Sequence, residues 1–189
     1  MISTISVVDL AERVRQQVKP ERYEHILRVA ELAAEIARAN ALDVEKIYLA
    51  AILHDAARDL SEQQLTELAP PEIALERNHP LSLHGRAGRK LAEQWGIEDE
   101  EVLEAIEGHV YGVRPEHRIG MALYVADVSE PGRGVNQDIR DLALSGRLEE
   151  AYQKAVLCKV KYLQSKGIEP HPRTLAAYKA IMEQRGEDC

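Results

Sequence analysis

Leu49-Ala50-Ala51-Ile52-Leu53-His54-Asp55-Ala56-Ala57-Arg58 is the stretch around which the chain is organised. Its first half is an apolar helix run without a charge. Its end carries an imidazole, a carboxylate and a guanidinium close together. Burying His54 or Asp55 unpaired costs on the order of several kcal/mol. A shared metal ion removes that cost for both, so further ligands are sought elsewhere in the chain.

Outward from this stretch the chain reads as helix after helix, without strand alternation, internal repeat or low-complexity segment. A first helix is expected over residues 4–18, started by Thr4 or Ser6 and stopped by Pro20. Pro20 opens a second over about 21–39, where Ile26, Ala30, Ala33 and Ala37 form an apolar stripe. Arg22, His25 and Arg28 share roughly one face of it. Asp43 is placed to cap a third helix running to Arg58. Ser61 to Gln64 spells a capping box for a fourth, which Pro70-Pro71 ends. His79-Pro80 marks a turn. A fifth helix over about 82–94 carries His84 near its start, with Gly85 and Gly88 allowing close approach of backbone or ligand. A sixth, 99–109, buries Val102, Leu103 and Ile106 and ends at His109. A seventh, 116–128, turns Ile119, Leu123 and Ala126 inward and delivers Asp127. Pieces at about 137–144 and 147–165 follow, the second closed by Gly167. Pro172 starts a last helix.

Composition sets the bounds. A chain of 189 residues with 45% hydrophobic and 30% charged residues is expected to bury one core as a single domain spanning 1–189. A net charge of -8 argues against a nucleic-acid-coating surface but leaves room for a local basic pocket. Cys158 is expected to be a small buried hydrophobe, and with Cys189 at the last position no disulfide framework is expected. Met1 to Asp9 lacks the pattern of a signal peptide. No apolar run approaches the roughly 20 residues of a membrane span. A cytoplasmic protein is expected.

His25, His54, Asp55, His84, His109 and Asp127 all fall at or near ends of helices with buried faces. Taken singly, each histidine is ordinary; the joint pattern carries the weight. Four imidazoles and two carboxylates without a thiolate suit divalent iron, manganese, cobalt or zinc. Six ligands exceed what one catalytic ion accepts with open positions. They suit two ions with one carboxylate bridging, a centre that clamps phosphoryl oxygens. His79 and His117 are left out, and His117, between Glu116 and Arg118, is expected on the surface. A polyphosphate would need local cations, which Arg22, Arg58 and Arg133 can supply. His171 with Thr174 can cap the last helix and touch a phosphate at its N-terminus.

The order His25, His54-Asp55, His84, His109, Asp127 resembles the two-metal HD-domain phosphohydrolases. More closely, the chain resembles their YqeK-type branch, the symmetrical diadenosine tetraphosphate hydrolases of bacteria. The matching pieces are Arg22-Tyr23-Glu24-His25, Ala51 to Arg58, Leu83-His84-Gly85, Ala126 to Arg133 and His171-Pro172-Arg173-Thr174 through Tyr178. The resemblance implies an all-α helical bundle, a di-iron centre with manganese or cobalt as substitutes, and a homodimer. His25, His54 and Asp127 would hold one metal, His84 and His109 the other, with Asp55 between them. His109 is counted among the substrate contacts as well, with Arg22, Arg58, Arg133, His171 and Thr174. Asp55 and Arg58 carry the chemistry. Arg58 stands where the branch usually has lysine, Arg28 where it often has a small residue, and Gly108 and Val110-Tyr111 flank His109 in place of an aromatic residue and threonines. Arginine keeps the positive charge but does not give up a proton.

The expected reaction is attack of a metal-bridging hydroxide on diadenosine tetraphosphate, giving two ADP. Two alternatives stand beside it: a phosphohydrolase acting on mononucleotides or cyclic nucleotides, and a nucleotide-binding regulator without turnover.

Overall fold

Eleven α-helices and two 3₁₀ turns make up the computed structural model of the protein, which describes residues 6–185; no strand occurs among them. The helices are α1 (Val7–Gln17), α2 (Pro20–Ala39), α3 (Val44–Leu53), α4 (Glu62–Leu68), α5 (Ala74–Asn78), α6 (His84–Gln94), α7 (Glu100–Gly108), α8 (Arg118–Ser129), α9 (Gln137–Leu144), α10 (Leu148–Ser165) and α11 (Pro172–Arg185). The 3₁₀ turns are Pro80–Leu83 and Pro131–Arg133. Thr4 and Cys189 lie outside the described residues.

Side-chain caps set the helix starts. Ser6 Oγ accepts from the Asp9 amide at 3.1 Å, and Asp43 Oδ1 from the Lys46 amide at 3.1 Å. Ser61 and Gln64 close the capping box in both directions, at 3.2 and 3.0 Å. α2 and α11 begin at Pro20 and Pro172, where a missing N–H costs nothing.

One continuous apolar cluster fills the interior. α2 gives it Ile26, Val29, Ala33 and Ile36, α3 gives Ile47 and Ile52, and α7 gives Leu103 and Ile106. α8 is the central helix: every residue from Ile119 to Ala126 is buried. A helix apolar all round belongs in the middle of a core. A methyl on Gly85 would sit 2.5 Å from the Glu107 carbonyl oxygen, so this glycine admits the backbone of α7 to α6. Gly88 likewise faces the His54 carbonyl at 3.4 Å. Both glycines lie against backbone of a neighbouring segment, as expected of them.

Several expectations are corrected. α3 stops at Leu53 instead of continuing to Arg58, and residues 54–59 form tight turns. The cause is local: the His54 amide reaches Ala51 O at 3.4 Å, and the His54 ring takes the same oxygen at 2.5 Å. In a continuing helix that carbonyl would serve the Asp55 amide. α5, five residues between Pro71 and Pro80, has too few positions to show a period. Cys158 is exposed, because its place on α10 borders a cavity rather than the core. His117 is 3% exposed: its Nδ1 accepts from the Gly120 amide at 2.8 Å, so it caps α8 instead of facing solvent.

Among the described residues no helix is long and apolar enough to cross a membrane.

Candidate metal centre

Five elements meet at one place and bring six side chains together. His25 comes from α2, His54 and Asp55 from the turns after α3, His84 from the start of α6, His109 from the end of α7, and Asp127 from the last turn of α8. His54 is fully buried, Asp55 is 3% exposed and His109 4%.

Asp55 divides its two oxygens between two sides. Oδ2 faces His25 Nε2 at 3.6 Å and His54 Nε2 at 3.5 Å. Oδ1 faces His109 Nε2 at 3.2 Å and His84 Nε2 at 3.5 Å. Asp127 Oδ1 lies 3.0 Å from His25 Nε2 and 3.6 Å from His54 Nε2. Three groups of donors have their atoms within 4.8 Å of one another: His25, His54 and Asp55; His54, His109 and Asp127; Asp55, His84 and His109. His54, Asp55 and His109 each belong to two of them.

The outer nitrogens of the rings are already engaged. His54 Nδ1 is 2.5 Å from Ala51 O, His84 Nδ1 2.6 Å from Leu81 O, and His109 Nδ1 2.6 Å from Ile106 O. A ring that donates Nδ1–H to a carbonyl keeps its Nε2 lone pair for a metal. His25 Nδ1 instead meets the Glu130 carboxylate at 3.2 Å. Glu130, 1% exposed, also accepts from Arg28 Nε at 2.8 Å and from the Gly132 amide at 2.7 Å.

Two features show that this donor set fits a cation. His54 Nε2 is buried without a hydrogen-bond partner. His84 Nε2 and His109 Nε2 face each other at 3.1 Å, two inward nitrogens with the same need. Groups of neutral imidazole and carboxylate oxygen at such spacing are positioned to bind a divalent metal. Protonation follows the same geometry. Burial opposes a charge on His54, but Asp55 and Asp127 outweigh it and raise its pKa to about 9, so a cation binding at its Nε2 would displace a proton there. Burial and the adjoining His109 push His84 down to about 4. Asp55 and Asp127, despite burial, are held well below the usual carboxylate range by the surrounding imidazoles.

A cavity of about 880 Å³ opens over the cluster, with Arg22, Arg58 and Arg133 in its lining. Arg22 Nη1 donates to Asp55 Oδ2 at 3.1 Å. Arg133 donates through Nη2 to Asp127 Oδ1 at 3.0 Å, and through Nε to the Asp127 carbonyl. Among the described residues the Arg58 guanidinium pairs with no carboxylate. His171 and Thr174, expected beside these arginines, lie instead in an adjoining cavity of about 650 Å³. The reason is packing. His171 Nε2 meets the buried Glu76 at 3.3 Å and its ring lies 4.4 Å from that of Tyr111, while Thr174 is 2% exposed.

Sequence reasoning missed Glu130 as the partner of His25, since no spacing rule links residues 105 positions apart. It stood inside the Glu130-Pro131-Gly132-Arg133 piece, the one signal available. Glu130→Gln is expected to weaken manganese binding about tenfold to a hundredfold by loosening the His25 ring. Titration with the metal, at unchanged helical content, checks this.

Comparison with known proteins agrees with the geometry. The HD domain family matches residues 22–136. The symmetrical bis(5'-nucleosyl)-tetraphosphatase of Staphylococcus aureus is 33% identical over 177 residues, which cover 89% of this chain and 91% of that one. A probable nicotinate-nucleotide adenylyltransferase/Ap4A hydrolase of Mycoplasma genitalium is 30% identical over 82% of this chain, which spans only 46% of that longer protein. A crystal structure of a predicted HD superfamily hydrolase involved in NAD metabolism from Clostridium acetobutylicum superposes with a TM-score of 0.87 at 29% identity, covering 95% of this chain and 98% of that one. With that family match, and with a relative similar along nearly its full length, the chain belongs to the HD-domain family, in the YqeK-type branch of symmetrical bis(5'-nucleosyl)-tetraphosphatases.

Proposed function

We propose that the chain is a dinuclear metal-dependent phosphohydrolase that cuts diadenosine tetraphosphate at its centre, yielding two ADP. The observation that carries this reading is the split of Asp55, with Oδ2 toward His25 and His54 and Oδ1 toward His84 and His109. On this reading His25, His54 and Asp127 hold one ion, His84 and His109 the other, and Asp55 serves both. Two divalent ions, when bound, activate water near neutral pH and neutralise phosphoryl oxygens. Iron as the resident metal, a homodimer and a cytoplasmic setting belong to the same reading and rest on the family. One continuous core among the described residues supports reading 1–189 as a single catalytic domain.

The protein's own groups have separable tasks. Arg58 lines the cavity with its charge uncommitted and meets the charge that develops on the transferred phosphoryl group. Arg22 and Arg133 hold the two carboxylates in orientation and present their remaining N–H groups to phosphate oxygens. An arginine does not act as a proton donor, so the role open to Arg58 is to offset charge on the leaving diphosphate, not to give it a proton.

Chromatography of the products tests the reading. The full chain, loaded anaerobically with iron or manganese, is expected to carry close to two ions and to convert diadenosine tetraphosphate to ADP alone. AMP plus ATP would reject central cleavage. Rapid phosphate release from a mononucleotide, with the dinucleotide untouched, would establish the nucleotidase alternative. No turnover of either would leave the regulator.

A further inference from the structure

Cations are unevenly committed around the cavity. Arg22 and Arg133 are bonded to Asp55 and Asp127, which leaves Arg58 on one wall. Another part of the lining belongs to α10. Ala155, Cys158, Lys159 and Tyr162 all line the cavity, and their spacing of three, four and seven puts them on one stripe of the helix. Lys159 Nζ donates to the Val110 carbonyl at 2.6 Å and lies 5.8 Å from the centre of the Tyr124 ring. Among the described residues no carboxylate lies within ion-pair distance of it, although it is half-buried. An ammonium has three N–H donors. One is used here.

Tyr162 is three residues further along the stripe and 60% exposed, and Val135, in the same lining, is 56% exposed. These are large apolar groups left open at a cavity that also holds charged ones. One face of the Tyr162 ring is attended by Lys166 Nζ, 5.9 Å from its centre. A flat apolar partner can take the other face.

We propose that this stripe of α10 is a subsite for one nucleoside diphosphate half of the substrate, with Lys159 on the phosphates and Tyr162 and Val135 against the base. The inference rests on the phosphohydrolase reading for the identity of the whole substrate. A substrate whose central linkage lies over the metal cluster extends two diphosphates away from it. A chain of net charge -8 cannot leave either one to a generally acidic surface. Arg58 can serve one of them, and Lys159, without a carboxylate partner among the described residues, is a second cation in the same lining for the other. The base meets apolar and aromatic surface, which favours stacking over hydrogen-bond readout and makes the subsite tolerant of the nucleobase.

Calorimetric titration of the manganese-loaded full chain with ADP tests the subsite. Lys159→Met is expected to weaken ADP binding about tenfold or more, as loss of a charge-assisted contact does. Lys159→Arg restores most of it. Tyr162→Ala weakens it about tenfold, and Tyr162→Phe does not. Metal content and melting temperature stay at the wild-type values throughout. Unchanged affinity in Lys159→Met and Tyr162→Ala overturns the proposal, as does a loss of affinity that comes only with lost metal or a lower melting temperature. A wild-type protein that does not bind ADP overturns it too. If these affinity changes appear but diadenosine tetraphosphate is not cleaved, the hydrolase reading falls and the subsite stands.

Discussion

Asp55→Ala is expected to abolish hydrolysis of diadenosine tetraphosphate while the helical fold persists. Among the described residues, Asp55 is the one side chain within 3.6 Å of all four inward nitrogens, those of His25, His54, His84 and His109. Its removal takes a ligand from both proposed ions at once and leaves Arg22 without its acceptor. Several kcal/mol of transition-state stabilisation, at about 1.4 kcal/mol per factor of ten, place the fall in turnover at about a thousandfold or more. The fold is expected to survive because the apolar cluster draws on α2, α3, α7 and α8, not on the ligands. His117→Ala is the contrast. It removes a buried cap of α8 and is expected to cost about 1 kcal/mol of stability at near-normal turnover. Rates, metal content and circular dichroism on both variants settle the matter. An Asp55→Ala protein that turns over normally with two ions bound would sink the bridging assignment.

Arg58→Ala is expected to lower kcat on the order of a hundredfold, roughly 3 kcal/mol, at unchanged metal content. The reasoning is one of commitment. Arg22, Arg28 and Arg133 each hold a carboxylate, and Arg58 holds none among the described residues while lining the same cavity. A guanidinium kept free beside a site for polyphosphate gains its partner only when substrate arrives. Arg58→Lys restores the charge but not the fork, and a partial recovery is expected. Equal rates in wild type and Arg58→Ala would place this residue outside the chemistry.

Caps and breakers made most helices legible: Asp43, the Ser61–Gln64 box and Pro20 each set the boundary expected of them. The six candidate ligands were legible because each falls near where an apolar period starts or stops. The end of α3 was not, since it depends on the His54 ring competing with an amide for Ala51 O. Cys158 and Lys159 sit on a helix whose period shows which residues could be buried. Only the tertiary arrangement shows that a cavity, not another helix, lies against them. His117 failed for the same reason: polar neighbours in sequence mark a surface only if the turn does not fold them under. His171 and Thr174 show the limit of a motif, which preserved the residues without giving their distance from the metal cluster.

The three carbonyl contacts made by His54, His84 and His109 bear on the order of assembly. Each ring takes its aim from an oxygen three residues back, so a single turn of backbone suffices to point it. Such short loops close long before distant segments meet. His25 has no such guide; it is steered by Asp127 and Glu130, 102 and 105 positions away. A refolding chain is therefore expected to orient three rings early and the fourth only when α2 reaches the end of α8. Cobalt added at the start of refolding should develop its ligand-field colour after the helical signal has risen, with the delay set by that last docking. Colour that leads the helical signal would mean the ion gathers the ends of the chain itself.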